Sequence, residues 1–352
     1  MMKHTLKIGF DTRKLGMCDN VKALSLIKYA FDKGVRLFDV SPHFMKGASE
    51  KIFLESVKAI ASDIDISYRF GRIPQESDSR ESFIARFDAS LARFGAESFE
   101  VYTVYEINSL ETWHEYRDLG EVYKTAAEMK VLGKIKHLAV SSCLDADELS
   151  VVLEACPEID TVFMPISPFD VKRHEKTVAM CKNMGKTVYA QTPLLGDVVR
   201  KYPEITSPIH TEGLDNEQAS LKYVSQLCEN ILIPFESEEM ADRMMYALSD
   251  EAADVEISGE FGAYETFCTG CGLCMMCMIK SNVTDLMSAY NEYIVSGEPQ
   301  DMVEAVKRTF GEDDYMYQSR KCIGCRMCER ICPQGIKISE RIEKLRDEVY
   351  RT

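Results

Sequence analysis

Short runs rich in β-branched and aromatic residues alternate with stretches of helical spacing from the N-terminus to about residue 255. Eight of these runs read as strands: 7–11, 36–40, 65–70, 101–107, 137–142, 161–167, 187–193 and 231–235. Between them, apolar residues recur every three to four positions. Leu24, Ile27, Ala30 and Phe31 share one helix face, and Gly34 ends that helix. Another helix runs over 121–132 and closes at Gly133. Eight strand–helix units in this length fit a parallel (β/α)8 TIM barrel. An open doubly wound sheet is the competing arrangement, but it favours an early glycine-rich phosphate loop, and the sequence has none. The stretch 200–215 holds Pro203, Pro208 and Gly213 and reads as a long loop after the seventh strand. On a barrel such a loop lies over the face where active sites are built.

Past residue 255 the alternation stops, which divides the chain into a barrel (1–255) and a smaller α-rich domain (256–352). Helices are expected there at 283–295, 302–310 and 339–350. Eight of the thirteen cysteines fall in two tight runs in this domain. The first is Cys268-x2-Cys271-x2-Cys274-x2-Cys277, and the second is Cys322-x2-Cys325-x2-Cys328-x3-Cys332, followed by Pro333. A C-x2-C-x2-C run wraps three thiolates around one iron–sulfur cube, and a distant fourth Cys completes it. Two runs therefore predict two [4Fe–4S] clusters. Zinc ribbons also use C-x2-C pairs, but a four-ligand zinc site has no use for the third Cys of each run. Met275, Met276 and Met278 are expected to cover the first cluster as soft apolar neighbours.

Composition narrows the picture. Hydrophobic content of 45% is ordinary for a globular protein. No apolar run reaches the length of a transmembrane helix. The opening MMKHTLKIGF has no apolar secretory region, which together with the many cysteines points to reduced thiols in a cytoplasm. A formal charge of −15 disfavours nucleic acid as a partner class. Against that background Arg320, Lys321, Arg326, Arg330, Lys337 and Arg341 gather around the second cysteine run. They either compensate cluster charge or dock an acidic electron carrier of the ferredoxin type. The remaining cysteines, Cys18, Cys143, Cys156, Cys181 and Cys228, lie singly and read as small buried hydrophobes, with Cys143 also placed for a thiol role after the fifth strand.

The segments IGFDTRKLG, GVRLFDVSPHFMKGASEKIF, GKIKHLAVSS and GKTVYAQTPLLG resemble, in order, motifs of the aldo-keto reductases. The resemblance covers most of residues 6–240 and is to the branch that carries a ferredoxin-like domain. The second cysteine run, with its C-P ending, resembles bacterial two-cluster ferredoxins. That resemblance implies exchanged fourth ligands: Cys268, Cys271, Cys274 and Cys332 for one cluster, and Cys322, Cys325, Cys328 and Cys277 for the other. The barrel family uses an Asp, a Tyr, a Lys and a His. The resemblance keeps Asp39 but puts Phe44, Arg69 and Tyr105 at the other three positions. Phe44 has no proton to give, so a general acid would be Tyr105 beside Arg69, or His43. The alternative is that Asp39 and Arg69 form a structural ion pair while Tyr105 and Phe44 fill the barrel mouth.

The nicotinamide-binding positions implied by the resemblance are also altered. Ser141 and Ser142 stand for a Ser-Asn pair, Phe163 for a Gln, and Gln191 for a stacking aromatic. The phosphate-binding turn reads Pro234-Phe235-Glu236-Ser237. Glu236 would repel a phosphate, and the missing Gly blocks close backbone approach, so NADP is disfavoured and NAD is unsupported. Three functions stay open: an oxidoreductase exchanging electrons between the clusters and an unidentified small substrate, a non-enzymatic electron-transfer or partner-binding subunit, and an NAD(P)-dependent carbonyl reductase.

Overall fold

The computed structural model describes residues 7–60, 67–72, 79–118, 122–209, 211–264 and 266–351, with the backbone alone for 60, 67–69, 71–72 and 118. Eight parallel strands close into a barrel: β1 (Lys7–Asp11), β2 (Leu37–Val40), β3 (Ser67–Arg72), β4 (Phe99–Ile107), β5 (Ile135–Ser142), β6 (Ile159–Pro165), β7 (Thr187–Gln191) and β8 (Asn230–Ile233). Each strand pairs with the next in sequence, and β8 returns to β1. Both faces of the sheet are covered. Leu37, Val101, Ala139, Phe163, Tyr189 and Leu232 fill the barrel interior, while the outer face packs on helices. That is why these strands read as continuous apolar runs rather than alternating ones.

The strand limits agree with the sequence pattern to within two residues, apart from Asp65 and Ile66, which lie outside the described residues. β7 stops short of its expected end because Thr192 turns left-handed, at φ 52°. The helix Asn20–Asp32 starts where Asp19 accepts the Lys22 amide at 2.8 Å, and Gly34 follows it at φ 94°. The helix expected at 121–132 is Val122–Val131, with Glu121 outside the described residues. The stretch 200–215 differs from a loop. It begins in a short helix, Val198–Lys201, and continues as the 3-10 segment Pro203–Ile209. Its prolines suit a helical turn because the apolar residues Val198, Tyr202 and Ile205 are buried against the second domain, which periodicity within the barrel alone does not show.

In that domain the helices Val283–Ser296, Pro299–Phe310 and Ile338–Arg351 pack on one another around Leu286, Met302, Val306, Ile342 and Leu345. Full burial of each such side chain contributes about 1.5–3 kcal/mol. The middle helix begins three residues ahead of expectation because Pro299 sits in its first turn, where a missing N–H costs nothing. The domain lies on the barrel mouth: Leu195 from the β7 connection shares its core, and Gln334 Nε2 donates to Thr192 Oγ1 at 3.1 Å. Among the described residues no helix is long and apolar enough to cross a membrane.

Candidate functional site

Strand register sets the first layer of the site. Asp11 and Asp39, at the C-terminal ends of β1 and β2, and Arg69, midway along β3, are register neighbours. The side chain of Arg69 lies outside the described residues. Asp11 instead holds Arg13, whose Nε donates to Oδ1 and Oδ2, both at 2.9 Å, while Nη2 also contacts Oδ2. Burial alone favours neutral Arg13, but Asp11 outweighs it and keeps the guanidinium more firmly protonated than usual. Asp39 is fully buried and accepts the Tyr105 hydroxyl at 3.3 Å. Phe44 stacks on Tyr105 with ring centroids 6.3 Å apart. Asp39 and Tyr105 are thus brought together, and Phe44 forms the apolar wall beside them. His43 is buried at the turn after β2, where its amide donates to Ser41 Oγ at 3.2 Å.

Ser141 and Ser142 separate in role. Ser141 Oγ donates to Glu106 Oε2 at 3.0 Å and accepts from Gln191 Nε2 at 3.4 Å, which forms a polar chain across β4, β5 and β7. Ser142 Oγ donates to the Ile107 carbonyl at 2.5 Å and so ties two strands together. Sequence reasoning missed Arg13 and Glu106. The signal was there: both are ionisable residues inside or at the end of apolar strands, a placement rarely tolerated without a partner.

The cysteine domain closes this mouth. Asn108 Nδ2, just past β4, donates to the Cys332 carbonyl at 2.8 Å. Arg330 pairs with Glu115 on the barrel. Gly196, at φ 74°, lets the chain after β7 approach so closely that a Cβ there would meet the Thr269 carbonyl oxygen at 2.2 Å. Cys271 then borders one small cavity with Asp11, Arg13 and Thr192. Cys143 lies under the same lid: its thiol donates to Asn108 Oδ1 at 3.3 Å, and burial pushes its pKa up to about 12. Burial therefore disfavours the thiolate form that a nucleophilic role would need.

Cys268, Cys271, Cys274 and Cys332 line a single cavity walled by Leu273, Met287, Ile336 and Ile338. The two runs therefore meet as ferredoxin-type exchange requires. Among the described residues no three His, Cys, Asp or Glu side chains are arranged to hold a metal ion. Two observations fit an iron–sulfur cube. The Thr284 hydroxyl lies 3.1 Å from Cys274 Sγ, and the buried Thr269 hydroxyl points to the Cys271 thiol. Burial and the neighbouring Cys271 push the Cys268 thiol up to about 12, a cost that thiolate ligation to iron would relieve. Asn291 braces the loop by accepting the Cys268 amide and donating to its carbonyl, both at 2.9 Å.

For the second set, the turn Leu273–Met276 packs on the helix Met327–Arg330, and Cys328 has Cys274 and Cys322 as neighbours. Gly324 N donates to Cys322 Sγ at 3.4 Å, and Cys325 is exposed. The expected methionine cover is corrected. Met275 is half-buried against Gly272 on the side of a neighbouring cleft, and Met276 and Met278 are exposed, because the chain leaves the cavity after Cys274. The basic cluster also divides. Arg341 is buried over Tyr290 and Arg330 binds the barrel, while Arg320, Arg326 and Lys337 face solvent.

The family model for the aldo/keto reductase family matches residues 7–250. The chain belongs to the aldo/keto reductase family. A 4Fe-4S dicluster domain model matches residues 267–336 of this aldo/keto reductase. A probable aldo-keto reductase 1 of Glycine max is 23% identical over 205 residues, which are 53% of this chain and 57% of that relative's length. An aldo-keto reductase of Bacillus halodurans in its holo form superposes with a TM-score of 0.56 at 17% identity, over 73% of this chain and 93% of that one. One from Klebsiella pneumoniae in complex with NADPH gives a TM-score of 0.56 at 16% identity, over 70% and 90%. These superpositions show a shared fold. At the turn after β8, Phe235 is buried against Phe10, and Glu236 binds Arg200 at 2.9 Å and Lys14 at 3.7 Å. Partial burial works against the Glu236 carboxylate, but Arg200 holds its pKa below the usual range.

Proposed function

We propose that this chain is an iron–sulfur oxidoreductase that joins one-electron carriers to a small substrate held between barrel and cysteine domain. Cys268, Cys271, Cys274 and Cys332 are the proposed ligands of one [4Fe–4S] cluster, and Cys322, Cys325, Cys328 and Cys277 of the other. When bound, such clusters supply one-electron transfer. The observation that carries the reading is the cavity shared by Cys271, Asp11 and Arg13. It brings Cys271, one of the proposed ligands, to the polar end of the barrel. In this reading Arg13 is a fixed positive charge, Tyr105 holds a proton that Asp39 orients, and the cysteine domain excludes water from both. The exposed Cys325 edge faces an outside carrier.

The nicotinamide reading has less support, because Glu236 occupies Arg200 and Lys14 where a phosphate would need them. A second reading, in which the barrel is only a scaffold for electron carriage, is favoured by Phe44 standing where the family carries Tyr. The test is an anaerobic titration of the cluster-loaded protein with NADH, NADPH and a reduced ferredoxin, followed by cluster absorbance. Reduction by ferredoxin but by neither nucleotide is expected. Rapid reduction by NADPH would overturn the reading.

A further inference from the structure

Between the βα loops and the cysteine domain lies a cleft of about 810 Å³, within the range of small-ligand sites. Five cationic side chains line it: Lys14, Lys22, Lys46, Arg200 and Lys280. Of its four carboxylates, Asp11 is held by Arg13 and Glu236 by Arg200 and Lys14, which leaves Lys22, Lys46 and Lys280 against Asp197 and Asp285, the last in the first turn of the helix Val283–Ser296. Non-glycine residues in the left-handed region are rare, and Met45, Lys46 and Lys280, at φ 49°, 56° and 53°, all line this cleft. Such strain is concentrated at binding sites.

One wall is the start of the helix Val283–Ser296, which belongs to the insert between the cysteine runs. Its first amides have no intrahelical acceptor, and the side chain of Asn282, at the N-cap, makes no bond to them. Beside them Ser281 is only 5% exposed, and its hydroxyl has no hydrogen-bond partner among the described residues. An unpartnered hydroxyl, open helix amides and a lysine on one wall form a donor set shaped for an anion. The wall also touches the redox centre, since the Thr284 hydroxyl lies 3.1 Å from Cys274 Sγ.

We propose that Lys280, Ser281 and the first amides of the helix Val283–Ser296 form an anion-binding site that seats the carboxylate or phosphate group of a small organic substrate. Assigning the anion to the substrate rests on the electron-transfer reading, but the site itself does not.

The experiment is anaerobic titration calorimetry of the cluster-loaded protein with sodium phosphate and, separately, sodium acetate. Wild type is expected to bind at least one saturably, and the tighter of the two names the group. Ser281→Ala weakens that binding roughly tenfold, Lys280→Glu abolishes it, and Lys58→Glu, exposed on the outer helix Ala48–Ile60, leaves it unchanged. Cluster absorbance and thermal melting confirm that each variant is folded. No saturable binding by wild type, or equal binding by Ser281→Ala and Lys280→Glu, overturns the site. Anion binding by a protein that exchanges electrons with no carrier leaves the site standing and sinks the electron-transfer reading.

Discussion

Tyr105 and Phe44 lie face to face at the barrel mouth, and only Tyr105 carries a proton. If it is the acid, Tyr105→Phe lowers substrate turnover by about 10²–10⁴-fold while cluster absorbance stays unchanged. Equal turnover by the variant would assign the hydroxyl to structure. Asp11 and Arg13 act at the same scale on stability. Asp11→Ala strands a buried guanidinium, so urea denaturation of the variant should show a loss of about 3–5 kcal/mol. His174 offers a pH test away from the site. It is fully buried, and burial lowers its pKa to about 4 from 6.5. Between those values the unfolded chain binds the proton and the folded one does not. Its contribution is therefore present above pH 6.5 and lost as pH falls toward 4. His174→Leu should remove roughly 3 kcal/mol of that acid sensitivity, seen as a flatter melting temperature between pH 6.5 and 4.

The elements were legible to different depths. The strands stood out because parallel strands covered on both faces are apolar throughout, and helix ends were marked at Gly34 and Gly133. The ferredoxin resemblance also implied that Cys332 joins the first run, and Cys332 does line that run's cavity. What local pattern could not show was docking. The helical turns of Pro203–Ile209, the Asn108 bond to Cys332 and the Arg330–Glu115 pair depend on residues far apart in sequence. Gly196 is the sharpest example. In sequence it is one more turn glycine, and in space it is where two backbones nearly touch. Gly196→Val should lever the domains apart, so the linker before Phe267, which carries Glu256 and Glu260, is cut faster by a glutamyl endopeptidase while the barrel's circular dichroism is retained. Unchanged cleavage would show that the interface tolerates the side chain.

Across the whole molecule, charge is unevenly spread. A chain of formal charge −15 presents Arg320 and Arg326 beside exposed Ile323, Met327 and Cys325. An apolar patch rimmed by cations suits an acidic carrier, and the net charge repels that carrier elsewhere. Arg326→Glu should slow reduction by an acidic ferredoxin about tenfold at low salt and leave the rate nearly flat as salt rises. A rate that ignores both would place the contact elsewhere. The Asn108–Cys332 hydrogen bond has one more consequence. It fastens a proposed cluster ligand to the barrel itself, so iron loss to air would loosen the lid as well as stop electron flow. Oxygen damage would then open the buried Asp39–Tyr105 pair to solvent, and a chain that has lost its iron would become more open to proteolytic clearance than one that keeps it.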